Sequence, residues 1–123
     1  MYKDLKNKNI ILTGGSGFFG KQIVEAFKLS GSNIIILDVK KPLKVNNVDY
    51  YKCDITKENQ VRNVAKKILK KNKKIDILIN NAASNYVPRG KSKDFSLENL
   101  ELKIWKNDLE VGLNGSFICT KIF

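Results

Sequence analysis

Thr13-Gly14-Gly15-Ser16-Gly17-Phe18-Phe19-Gly20 follows directly on the apolar run Ile10-Ile11-Leu12. A strand that ends in closely spaced glycines and then opens a helix exposes bare backbone and turns the first helical N–H groups toward negative charge. The chemistry that suits this arrangement is the grip on a pyrophosphate. Asp38 closes the next apolar run, 18 residues beyond Gly20. A carboxylate there accepts hydrogen bonds from both hydroxyls of an adenosine ribose and repels a 2′-phosphate. Together the two signals predict a dinucleotide site that favours NAD over NADP. Lys40 and Lys41 follow closely and work against that preference.

Other reactive groupings are sparse. The chain has no histidine, which excludes a Ser-His-Asp hydrolase within these residues. Its two cysteines, Cys53 and Cys119, have no metal-ligand spacing, so no metal is expected and both read as buried reduced thiols.

The glycines and Asp38 need a scaffold, and alternating apolar patterns predict one. Lys8–Leu12 reads as a first strand, and about Phe18 to Ser30 as a helix with Phe19, Ile23, Ala26, Phe27 and Ser30 on one face. Gly31 is its expected C-cap. Asn33–Asp38 is a continuous apolar run, as in a parallel strand buried on both faces. Lys40–Asn47 is a loop, Val48–Asp54 a third strand, and Thr56 the expected N-cap of a second helix. In that helix Val61, Val64, Ala65, Ile68 and Leu69 recur at helical spacing. Ile75–Asn80 is a fourth buried strand and Ser84–Lys93 a loop. From about Leu97 to the end the pattern is helical. Leu102, Trp105, Leu109, Gly112, Leu113, Ser116 and Thr120 are expected to face the sheet. Ile104, Val111 and Ile118 lie off that stripe and call for a second partner. Right-handed crossovers then give an α/β fold, a Rossmann-type doubly wound parallel sheet of order 3-2-1-4.

Composition sets outer limits. The 123 residues allow one domain, 1–123, with 42% hydrophobic and 28% charged residues, as in a globular chain. Its longest apolar runs, near Ile34–Leu37 and Ile75–Ile79, fall short of a membrane span, so no membrane partner is expected. The N-terminus has no hydrophobic signal core, and a cytoplasmic location is the expectation. Net charge is +11, much of it from Lys66, Lys67, Lys70, Lys71, Lys73 and Lys74. With no interleaved aromatics this cluster reads as a solvated helix face, and no nucleic acid partner is expected.

Three segments, Thr13 to Gly20, Cys53-Asp54-Ile55-Thr56 and Leu78-Ile79-Asn80-Asn81-Ala82-Ala83, resemble landmarks of the short-chain dehydrogenase/reductase family, in family order and near family spacing. The resemblance covers essentially the whole chain. It implies that Gly14, Ser16, Gly17, Phe19 and Gly20 surround the pyrophosphate. By the same resemblance Asp54 bonds the adenine amino group, Ile55 packs on the ring, and Asn81, Ala82 and Ala83 pass the nicotinamide-side ribose. It further implies hydride transfer between NAD(P) and an alcohol or carbonyl, and a homo-oligomer formed through the C-terminal helix.

The chain departs from the family in four places. The spacing of Gly14, Gly17 and Gly20 resembles the extended branch, with its sugar-nucleotide epimerases and dehydratases, whereas Asn80 to Ala83 resembles the shorter dehydrogenase branch. Gly112-Leu113-Asn114-Gly115-Ser116-Phe117 resembles a family segment whose asparagine organises a proton relay, but Gly112 stands in its place, and Asn114 falls on another side of the helix. These two departures point toward a sugar or nucleotide-sugar substrate. The family's catalytic Tyr-x-x-x-Lys and its serine are missing, since Tyr2 to Lys6 precedes the first strand and reads as coincidence. Tyr86 and Arg89 lie in the loop on the substrate side, where an arginine is ordinarily a surface residue. The expectation is therefore a cofactor-binding half, incomplete at its C-terminus and inactive alone, with strand 4 an uncovered edge. The alternatives are a non-catalytic NAD-binding module and a fragment of an extended-type epimerase or dehydratase.

Overall fold

A computed structural model describes residues 3–42, 48–84 and 96–123. After a single helical turn at Lys3–Leu5, four strands form one sheet: β1 (Asn9–Thr13), β2 (Asn33–Asp38), β3 (Asp49–Lys52) and β4 (Ile77–Ile79). Helix α1 (Phe18–Leu29) joins β1 to β2, and α2 (Glu58–Asn72) joins β3 to β4. Every pairing is parallel and the order is β3-β2-β1-β4, as the crossover argument predicts.

Period-two alternation divides the central strands between two cores. Ile11, Ile35 and Leu37 point to one face, where Val61, Val64 and Ile68 of α2 meet them. Leu12, Ile34 and Ile36 point to the other, against Val24, Ile23 and Phe27 of α1. Both faces of β1 and β2 are thereby covered, which is why these strands read as unbroken apolar runs. β4 ends the sheet order, and its residues are half-buried.

The ends of several elements differ from expectation for local reasons. β1 runs one residue further along the chain, while β3 and β4 are shorter than Val48–Asp54 and Ile75–Asn80. Thr56 is not the N-cap of α2. Its hydroxyl and its N–H both go to Asp54 Oδ1, at 2.7 and 3.0 Å, and Lys57 takes the cap position without a side-chain cap bond. Leu69 turns outward and is 42% exposed. On α1, Phe19 and Ala26 also face away from the sheet. Gly20, lacking a side chain, lies against Gly14 and Gly15, which directs Val24 inward and leaves Phe19, one position earlier, pointing out. Gly31 ends α1 as expected. At φ 74° it donates to Lys28 O, and Ser32 donates to Phe27 O, the paired bonds of a Schellman motif.

The C-terminal segment reverses the predicted face. A short turn at Leu97–Asn99 precedes α3 (Leu102–Leu109), a π-helical stretch at Glu110–Gly115, and α4 (Ser116–Ile122). Val111, Cys119, Ile118 and Ile122 pack on the core, with Gly115 buried among them. Leu102, Trp105, Leu109, Leu113 and Phe117 are exposed, Leu113 at 64%. This segment carries two apolar stripes, and a contact decides between them. A Cβ on Gly115 would stand 2.6 Å from Ile55 Cδ1, so only the stripe that contains Gly115 approaches the sheet this closely.

Candidate cofactor site

The site forms where β1 and β4 end side by side. Gly14 has φ +68°, and a Cβ there would lie 2.8 Å from Ala82 Cα. Two requirements therefore meet at this residue, left-handed backbone and close approach of a second strand end. Thr13, fully buried, joins the two ends. Its hydroxyl oxygen accepts from Asn81 N–H and Ala82 N–H, both at 3.0 Å. The Asn81 amide donates back to Thr13 O at 3.0 Å and Gly14 O at 3.2 Å. Asn80 reaches sideways instead, donating to Thr120 of α4 at 3.1 Å.

Beyond the turn, α1 opens with Gly17 as its N-cap and no side chain capping it. Its first N–H groups are orphan donors at the positive end of the helix. At the tip of β2, Asp38 Oδ2 accepts from Ser16 N–H and Oδ1 from Lys40 N–H, each at 2.9 Å. The Ser16 hydroxyl donates to Lys40 O at 2.6 Å. Tyr50 of β3 donates to the Asp38 carbonyl at 3.2 Å, and burial followed by the Asp38 charge raises its pKa, keeping it a donor. Asp54, past β3, receives Thr56 on its carboxylate and gives its N–H to Gln60 at 2.9 Å.

One open cleft of about 760 Å³ gathers these groups. Gly14, Ser16, Gly17, Phe19 and Gly20 line it from the turn, Asp38 from β2, Asp54 and Ile55 from behind β3, and Asn81, Ala82 and Ala83 from behind β4. Every residue singled out for cofactor contact thus borders a single space. Phe19 does so from an exposed position, its ring edge-on to Phe18 at 5.3 Å between centroids. The room left beside Gly17, where the nearest atom to an added Cβ is Gly14 O at 3.3 Å, and the uncapped helix start suit a bare-backbone grip on a diphosphate, and Asp38 suits a ribose.

Several lining residues had no sequence signal. Ser84, Asn107 and Val111 add to the wall beside Lys40, whose place near Asp38 the sequence does show, with Asn107 donating to Ser84 Oγ at 2.6 Å. Cys53 also lines the cleft. Burial pushes its thiol up to about 11, and burial with Cys53 nearby pushes Cys119 up to about 12, so both remain protonated and inert near neutrality. Among the described residues no group of three potential metal-binding side chains is present. Asn114 bonds Glu110 at 2.7 Å on the surface, away from the cleft lining. Gly112 faces open space, and its carbonyl accepts the Ser116 hydroxyl at 2.7 Å. Tyr2, Tyr86 and Arg89 lie outside the described residues.

A parallel sheet wound 3-2-1-4 over a glycine turn defines a Rossmann-type nucleotide-binding protein. The short chain dehydrogenase family matches residues 8–123, and the chain belongs to that family. Short-chain dehydrogenase reductase 3b of Arabidopsis thaliana is 31% identical over 96% of this chain and 54% of its own length. Among solved structures, the ligand-free aldohexose dehydrogenase of Thermoplasma acidophilum superposes with a TM-score of 0.85 at 29% identity, covering 99% of this chain and 45% of that one. A short chain dehydrogenase of Leptospira borgpetersenii with bound NAD+ gives 0.83 at 26% identity, over 99% and 47% of the two chains. The chain spans about half the length of the curated relatives it matches.

Proposed function

We propose that this chain supplies the cofactor-binding half of an oxidoreductase that moves hydride between a nicotinamide dinucleotide and an alcohol or carbonyl. The observation that carries this reading is the Asp38 carboxylate, held beside the glycine turn at the end of β2 by Ser16 N–H. The bound dinucleotide would supply or accept the hydride. Gly14 and Gly20 let the turn close tightly, Gly17 leaves its backbone open to the pyrophosphate, and the open first turn of α1 neutralises the charge. Asp38 receives the adenosine ribose and favours NAD over NADP. Asp54 and Ile55 take the adenine, and Asn81, Ala82 and Ala83 flank the second ribose. The NAD+ complex of the Leptospira relative supports the cofactor class.

No residue of this chain is assigned as proton donor, and we propose no turnover by these residues alone. A sugar-type substrate is favoured, with the aldohexose dehydrogenase likeness in its support. The outward stripe of Leu102, Trp105, Leu109, Leu113 and Phe117 suits burial against a second copy of the chain, and a cytoplasmic location fits the reading.

Titration with NADH, followed by backbone amide shifts, tests the proposal. Changes confined to Gly14–Gly20, Asp38, Asp54, Ile55 and Asn81–Ala83 are expected. Amides that remain unmoved up to millimolar nucleotide would refute it.

A further inference from the structure

We propose that Ser16 is a positioning residue for cofactor choice: it clamps Asp38 in the pose that accepts a free 2′-hydroxyl and excludes a 2′-phosphate. The inference rests on the dinucleotide reading of the cleft and deepens it. Three hydrogen bonds close a ring between segments that are remote in sequence. Lys40 N–H to Asp38 Oδ1, 2.9 Å, is a local turn that ties the carboxylate to its own strand end. Ser16 N–H to Asp38 Oδ2, 2.9 Å, ties it to the glycine turn. The Ser16 hydroxyl to Lys40 O, 2.6 Å, locks the two segments together. A single residue thus holds both the carboxylate and the backbone that follows it.

The clamp orients Asp38 without using it up. Each carboxylate oxygen accepts one N–H and retains capacity for another donor, so two ribose hydroxyls can still be received. A 2′-phosphate brings negative charge to the same place. To admit it, the carboxylate must rotate away, and that rotation gives up the Ser16 N–H bond. An unclamped Asp38 would swing aside at smaller cost. The ring therefore adds to the discrimination that the charge of Asp38 begins.

Ser16→Ala keeps the N–H and removes the hydroxyl, and Ser16→Thr keeps both. Amide-shift titrations of the whole chain with NADH and NADPH give the affinity ratio. In Ser16→Ala the preference for NADH should fall about 3- to 10-fold, the worth of one hydrogen bond, and Ser16→Thr should restore most of it. Asp38→Asn should abolish the preference. A ratio unchanged in Ser16→Ala but lost in Asp38→Asn overturns the clamp and leaves the NAD reading standing. A wild-type chain that binds both nucleotides equally, or neither, overturns both. Hydrogen exchange in the ligand-free protein gives a second readout: the Lys40 amide should exchange faster in Ser16→Ala than in the wild type or Ser16→Thr. Equal rates in all three proteins would overturn the clamp.

Discussion

A single methyl group separates the structural glycines of the turn from those that leave room for a ligand. At Gly20 an added Cβ would run into the Gly14 carbonyl oxygen and stand 2.7 Å from Gly15 Cα. Gly20→Ala must push α1 off the turn and should destabilise the fold by about 1–3 kcal/mol, as overpacking does. At Gly17 the nearest atom to an added Cβ is Gly14 O at 3.3 Å, a contact that a small shift relieves. Gly17→Ala should therefore melt close to the wild type while binding NADH more weakly, because its methyl enters the cleft. Thermal melts paired with NADH titrations check both. The spacing of Gly14, Gly17 and Gly20 was visible in the chain. The roles of Gly15 and Thr13 do not show in local spacing, because their partners, Ile36 of β2 and the Asn81-Ala82 backbone beyond β4, come from distant parts of the chain.

Elements are arbitrated by their closest contacts, and the C-terminal helices show this best. Gly115→Val would place its Cβ 2.6 Å from Ile55 Cδ1 and should cost about 1–3 kcal/mol. Gly112→Ala meets nothing within 4 Å and should be neutral or stabilising by up to about 1 kcal/mol, since glycine is a poor helix former. Urea midpoints for the two variants should therefore move in opposite directions or differ clearly. Equal losses would mean that the close approach of Gly115 to Ile55 does not select the buried stripe. Helical periodicity located this segment but offered two apolar stripes. Its choice of Leu102, Trp105 and Leu113 as the inner face failed because periodicity carries no information about the opposing surface.

For the whole molecule, charge matters most where it ties distant parts of the chain together. Asp76, ahead of β4, accepts Asn9 N–H at 2.9 Å and faces Lys74 at 2.9 Å and Lys8 at 3.6 Å. The Asn9 N–H, then Lys74, hold its pKa below the usual carboxylate range. A depressed carboxylate contributes stability above its unfolded pKa of about 3.9, and that contribution is lost as pH falls through the lower folded value. Stability should therefore decline below about pH 4, and Asp76→Asn should flatten that part of the profile. Urea midpoints measured across this range are the check; an unchanged slope would remove Asp76 from the account. The surface pairs Arg62–Glu58 and Lys71–Asp49 are solvent-exposed and should contribute little. No helix among the described residues is long and apolar enough to cross a membrane.

Local order was sufficient to read four strands, their parallel winding, the glycine turn and the acidic tip of β2, because runs of apolar residues and missing side chains act within a few positions of one another. Which stripe of the last helices lies inward, how Thr13 joins two strand ends, and how Ser16 holds Asp38 emerged only on folding. Each depends on atoms separated by more than twenty residues meeting within a few ångströms, a relation that spacing along the chain does not encode.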